Sequence, residues 1–122
     1  MESYMAMADN RRRFNRKYLT FFARITDRQN GRVLGYLVDL TSQGALMVGD
    51  LPLVKGEVFT LRMDLPEGFV QGNCLDLDAK AVWSGPDIEP NFYRTGLQLM
   101  NLSSQDTGTL ERLLAEYCLA QL

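Results

Sequence analysis

Leu19, Phe21, Ala23 and Ile25 alternate along the chain with Thr20, Phe22, Arg24 and Thr26, the period of a strand with one buried face. Asn30 and Gly31 follow, a pair that closes hairpins because both residues tolerate positive φ. Residues 33–40 are apolar on both parities and run into a polar turn at 39–44, and residues 45–48 supply a short third strand. Across residues 58–64, Phe59, Leu61 and Met63 share one parity, and Leu65, Pro66, Glu67 and Gly68 close that segment. The fifth strand is the clearest. Leu75, Leu77, Ala79, Ala81 and Trp83 line one face, Asp76, Asp78 and Lys80 the other. Its parity assigns Trp83 to the core in preference to a surface position where the ring could stack on a ligand, and Ser84-Gly85-Pro86 is expected to stop the strand. Residues 92–100 form the sixth. Short strands separated by turn residues predict an antiparallel barrel or sandwich, and closure into a barrel removes exposed edges.

The period then changes. Ser103 with Asp106 three residues later resembles a capping box. Leu110, Leu113, Leu114, Tyr117, Cys118 and Gln121 fall at i, i+3, i+4, i+7, i+8 and i+11, the stripe of an amphipathic helix. That stripe can lid one barrel opening or meet a partner. A small barrel needs its open end covered, which favours the lid.

Length and composition set limits. A chain of 122 residues with 46% hydrophobic content can bury one moderate core. No apolar run approaches the ~18 residues that a membrane span needs, so no membrane insertion is expected. The first residues lack the basic region and long apolar run of a signal peptide. The two cysteines, Cys74 and Cys118, are far apart, which favours a reducing, cytoplasmic setting over a disulfide framework. The chain has no histidine, so histidine acid–base chemistry and histidine metal ligation are excluded. No metal site and no catalytic residue is expected. Asp76 and Asp78 read as a solvated strand face, not as a catalytic pair.

The charge distribution is more telling. Lys and Arg total 13 against 15 Asp and Glu, a net charge of −2. Five of the basic residues, Arg11, Arg12, Arg13, Arg16 and Lys17, lie within seven positions, and the rest of the chain carries −7. A compact cationic spot on an acidic body favours a small anion over a long nucleic acid, which calls for a broad basic face. The guanidinium fork suits phosphate oxygens and the O6/N7 edge of guanine. The plainer use of such a run is a solvated basic arm. Residues 1–17 are expected to be a flexible arm, and residues 18–122 a single domain.

Asp39 and Thr41 stand two apart near a strand end, followed by Gly44. A carboxylate there can accept from the N1–H and exocyclic amine of a guanine, and the Thr41 hydroxyl can donate or accept. Gly44 permits a tight turn and close approach of a ligand. The plainer reading is a turn in which Asp39 or Thr41 bonds nearby backbone N–H groups.

Arg12 and Arg16 form R-x-x-x-R, and Asp39, Thr41 and Gly44 form D-x-T-x-x-G. In this order, ahead of short strands and a terminal helix, they resemble the PilZ domain family of bacterial cyclic di-GMP receptors. Arg11 matches an Arg that often precedes the pair, and Thr41 stands where Ser is usual. Tyr93-Arg94-Thr95-Gly96-Leu97 looks like the family's Gly-containing last strand. The resemblance implies a mainly β fold, a six-stranded antiparallel barrel with a C-terminal helix. It implies no catalysis and no cofactor, with cyclic di-GMP as ligand. Arg11, Arg12 and Arg16 would grip phosphates and guanine edges, while Asp39, Thr41 and Gly44 take a base from the barrel side. The arm would fold over the ligand and present a new surface to a downstream protein. Arg11 in place of a bulky apolar residue implies a stacked ligand dimer. Two alternatives stand beside this: a PilZ-like protein-interaction module that binds no nucleotide, and a single-strand binder. The latter calls for exposed aromatics among basic residues, a face that is not evident.

Overall fold

A computed structural model describes residues 17–41 and 43–120. The elements are β1 (Lys17–Asp27), β2 (Val33–Leu40), β3 (Gly44–Gly49), β4 (Val58–Asp64), β5 (Cys74–Pro86), β6 (Tyr93–Met100), α1 (Ser104–Tyr117) and β7 (Cys118–Ala120). Neighbouring strands pair antiparallel in the order β2-β3-β6-β5-β4-β1, and β1 also pairs with β2, so six strands close into a barrel. The segment proposed as an arm lies, but for Lys17, outside the described residues.

The alternation read from the sequence matches the burial. Ala23 and Ile25 in β1, Phe59, Leu61 and Met63 in β4, and Leu75, Leu77, Ala79 and Ala81 in β5 all face one core cluster. The first hairpin turns at Asn30 and Gly31: Gly31 takes φ 76° and donates its N–H to the Asp27 carbonyl at 2.8 Å. That positive φ is the reason for glycine there.

The helix starts as the sequence predicts. Asp106 N–H donates to Ser103 Oγ at 2.9 Å, and Ser103 N–H donates to Asp106 Oδ2 at 3.2 Å, a reciprocal capping box. Leu110 and Leu113 are buried in the barrel's own core cluster, and Tyr117 meets Phe21 and Phe69 edge-on at 5.8 and 5.9 Å. The helix is a lid.

Its end differs from expectation. The apolar stripe in the sequence continues through Cys118 to Gln121, but the helix stops at Tyr117 and residues 118–120 form β7, paired with Lys17, Tyr18 and Leu19. The strand has an edge to join because β4 pairs β1 only at Ile25, Thr26 and Asp27, which leaves the β1 edge opposite β2 open at Lys17–Leu19. The β1 backbone groups on that edge take their hydrogen bonds from β7.

The fifth strand also runs longer than predicted. Ser84, Gly85 and Pro86 pair with Thr95, Arg94 and Tyr93, so the turn comes later, where Asp87 N–H donates to the Phe92 carbonyl at 2.9 Å. No helix among the described residues is long and apolar enough to cross a membrane.

Candidate functional site

Two register shifts build the site. On β2 the pairing with β3 slips between Leu37 and Asp39, so Leu37 pairs with Met47 but Asp39 with Leu46. On β5 the pairing with β6 slips between Ala81 and Trp83, so Ala81 pairs with Leu97 but Trp83 with Gly96. Each extra residue moves the next side chain to the opposite face. Met47, Ala81 and Leu97 belong to the core cluster, which fixes the inner face. Asp39, Leu46, Gly96 and Trp83 therefore share the outer one.

These four form a continuous cross-strand row, since Leu46 pairs with both Asp39 and Gly96. The Leu46 side chain is buried yet stands apart from the core cluster, as an outer-face leucine under cover does. Asp39 is 1% exposed. A carboxylate so withdrawn from water needs hydrogen-bond donors or cations around it.

Trp83 corrects the sequence reading. Unbroken alternation placed it in the core, but the bulge turns it outward, half-buried over Gly96. A Cβ on Gly96 would stand 2.7 Å from the indole Cε2, so the missing side chain is what lets the ring lie against the strand. The Arg94 guanidinium carbon lies 6.0 Å from the ring centroid. Arg94 is 12% exposed, its Nε is 3.7 Å from Asp87 Oδ1, and its Nε and Nη1 have no hydrogen-bond partner among the described residues. Sequence reasoning passed over Arg94. Its position two residues before Gly96 was the available signal.

The turn after β2 makes the local side-chain-to-backbone bonds that its residues allow. Thr41 lies beyond the strand end, and its Oγ1 accepts from Gln43 N–H at 3.1 Å and Gly44 N–H at 3.0 Å. Its own N–H donates to the Gly44 carbonyl at 2.8 Å. The hydroxyl thus organises the turn. Gly44 also has a role in the barrel wall, because a Cβ there would sit 2.9 Å from the Leu97 carbonyl oxygen. The close approach of β6 requires glycine there.

Arg11, Arg12 and Arg16 lie outside the described residues. The chain enters β1 beside the site, however: Lys17 pairs with Leu40 and Tyr18 with Asp39. Asp76 and Asp78 are surface residues with structural partners. Asp76 accepts two bonds from Arg62, at 2.8 and 3.1 Å, and lies 3.5 Å from Arg28, while Asp78 accepts from Asn101. The Arg62 hydrogen bond, helped by the nearby charges, holds the Asp76 carboxyl below its ordinary value against a smaller opposing effect of burial. Among the described residues no group of three or more His, Cys, Asp or Glu is placed to hold a metal.

The family model of the PilZ domain matches residues 10–116. The chain belongs to the PilZ family. Solved structures with the same fold include the PilZ domain of YcgR from Escherichia coli with cyclic di-GMP. It is 18% identical with a TM-score of 0.70, over 88% of this chain and 91% of that one. The K. pneumonia MrkH–cyclic di-GMP complex is 17% identical with a TM-score of 0.69, over 87% of this chain. The Bacillus subtilis inhibitor of motility MotI is 16% identical with a TM-score of 0.65, over 86%. This PilZ chain spans 52% of the MrkH chain and 49% of MotI. No curated protein matches it in sequence.

Proposed function

We propose that this PilZ chain is a cyclic di-GMP receptor that signals to a downstream protein. The observation that carries the reading is the outer-face row, in which buried Asp39 and half-buried Trp83 flank Leu46 and Gly96. An acceptor for guanine N–H groups and an aromatic platform stand on one surface. The Arg-bearing segment joins the barrel one residue from Tyr18, the partner of Asp39.

In this reading Arg12 and Arg16 grip phosphate oxygens and guanine edges, and Arg11 accompanies them. Asp39 accepts from a guanine, and Trp83 offers its face to a base, where stacking is worth about 1–3 kcal/mol. The Thr41–Gly44 turn holds Asp39 in place and does not itself need to read the base. The arm orders over the ligand, and part of the binding free energy goes into that ordering. The covered face becomes the surface that a downstream partner meets. Two stacked ligands per chain follow from Arg11.

Titration calorimetry with cyclic di-GMP, GMP and GTP tests this. Cyclic di-GMP should bind far more tightly than either mononucleotide, because one guanine or one phosphate group cannot engage the arm and Asp39 together. Equal affinities for GTP and cyclic di-GMP would overturn the reading. An absence of binding to all three would leave the nucleotide-free interaction module in its place.

A further inference from the structure

The helix lids the end of the barrel where β1 begins. At the other end, the β1–β2 turn and the β3–β4 connection enclose a cleft of about 240 Å³. Its floor is apolar: Phe59 belongs to the core cluster, and Leu34 and Leu53 pack against that cluster. On its rim Val33, Leu51 and Val54 are 47%, 51% and 69% exposed, an apolar surface left open to water. Three carboxylates, Asp27, Asp50 and Glu57, share the lining with one cation, Arg32. Asp27 is buried, its Oδ1 accepts from Gln29 N–H at 2.9 Å, and it forms no ion pair with a Lys or Arg among the described residues.

The cleft is held ready. Leu53 N–H donates to Ser84 Oγ at 3.1 Å, and Gly56 N–H donates to the Ala81 carbonyl at 2.7 Å, which ties the β3–β4 connection to β5. A surface fixed in this way loses little freedom when something binds to it.

We propose that this cleft docks a basic amphipathic segment of a partner protein, with a Lys or Arg head among Asp27, Asp50 and Glu57 and apolar neighbours against Val33, Leu51 and Val54. Charge selects the sign of the occupant. The lining holds three carboxylates against one guanidinium, and the chain outside the Arg11–Lys17 run carries −7. A long basic side chain suits such a wall, because its methylene stem lies on apolar surface while its head stays with the carboxylates. The chain's own basic run falls short. Lys17 and Asp27 stand at opposite ends of β1, roughly 30 Å apart, whereas the six residues from Lys17 back to Arg11 span at most about 21 Å.

The position has a consequence for signalling. Val33 and Asp39 lie at opposite parts of β2, about 20 Å apart, so a segment in the cleft leaves the ligand row open. A partner docked there stays attached with or without ligand, and meets the ligand-dependent surface at a high effective concentration. That consequence rests on the cyclic di-GMP reading, whereas the docking site itself does not.

The test uses the full chain, isotope-labelled and without nucleotide, titrated with short amphipathic peptides of leucine and lysine or of leucine and glutamate. The leucine–lysine peptide should shift the amide signals of Val33, Leu51, Val54 and Glu57. At these signals it should bind about tenfold or more tightly than the leucine–glutamate peptide. Asp50→Lys combined with Glu57→Lys should invert that preference, and Val54→Ser should weaken binding several-fold. All three positions are exposed, so the melting temperature should hold. Equal affinity of the two peptides, an unchanged preference in the charge-reversed variant, or shifts confined to another part of the barrel would overturn the site. A dimer of the parent chain in sedimentation that Val54→Ser dissolves would also overturn it, because the cleft would then belong to a second copy. Because no nucleotide is present, a failure here is separate from a failure of ligand binding.

Discussion

Trp83 lies across Gly96 on the outer face of the barrel, against the strand where a Cβ would have been. The pair depends on a single extra residue in β5. Without the slip between Ala81 and Trp83, the indole would point inward on the face of Ala81 and Leu97. The bulge thus converts a core position into a surface platform, at the far end of the row from the aspartate that a second bulge has turned outward.

Gly96→Ala should displace the indole. The added methyl overlaps Nε1, Cε2 and Cδ1 of Trp83, and overpacking of this kind costs about 1–3 kcal/mol. Trp83 is the sole tryptophan, so its emission reports the displacement directly. A shift in the emission maximum, a lower melting temperature and weaker cyclic di-GMP binding are expected together. Parental emission in the variant would show that the ring has room to spare.

Thr41→Val should destabilise the free protein, and Thr41→Ser should not. The serine hydroxyl can still accept from Gln43 and Gly44 N–H, whereas valine leaves both donors unserved. An orphaned, partly buried donor costs about 1–3 kcal/mol, readable by urea unfolding. Thr41→Ser should also bind cyclic di-GMP like the parent.

Asp39→Ala should lose cyclic di-GMP binding severely. Arg12→Ala and Arg16→Ala should each cost about 1.5–3 kcal/mol, roughly ten- to a hundredfold in affinity. Calorimetry measures all three. The ligand-free melting temperature separates roles, since the arginine variants should melt like the parent. A large drop for either arginine variant would mark it as structural.

Arg11→Leu should reduce the ligands bound per chain from two to one, by placing an apolar group where a second stacked ligand needs a cation. Calorimetric stoichiometry decides it. One ligand on the parent chain removes the stacked dimer and leaves the receptor reading intact.

Asp76→Asn should weaken the fold slightly, and only away from acid. The Asp76 carboxyl titrates below its ordinary value because Arg62 bonds its charged form. Its contribution is therefore fully present above the unfolded-state carboxylate pKa and fades as pH falls through the lower folded-state value. Both side chains are substantially exposed, so the effect at neutral pH should be under about 1 kcal/mol. Urea unfolding of parent and variant from neutral pH downward should converge in acid.

Much of the barrel was legible because one-sided burial imposes a period of two on the residues that line it. Leu75, Leu77, Ala79 and Ala81 announce their inner face without any neighbour being known, and Ser103 with Asp106 announces the helix start through local hydrogen bonds. The sequence by itself determined the six strands of the barrel, the lid helix and the two motifs that mark the family. Tertiary structure decided what the motifs face. A bulge leaves no mark in a single chain, because the extra residue at Val38 or Val82 exists only relative to the register of a partner strand. For that reason alternation misplaced Trp83, and for that reason the Asp39–Leu46–Gly96–Trp83 row could not be read before β2, β3, β6 and β5 were side by side. The helix end followed the same rule. Cys118 continues the apolar stripe, but the edge of β1 that β4 leaves open draws it into a strand, and no local propensity reports a hydrogen-bond vacancy a hundred residues away.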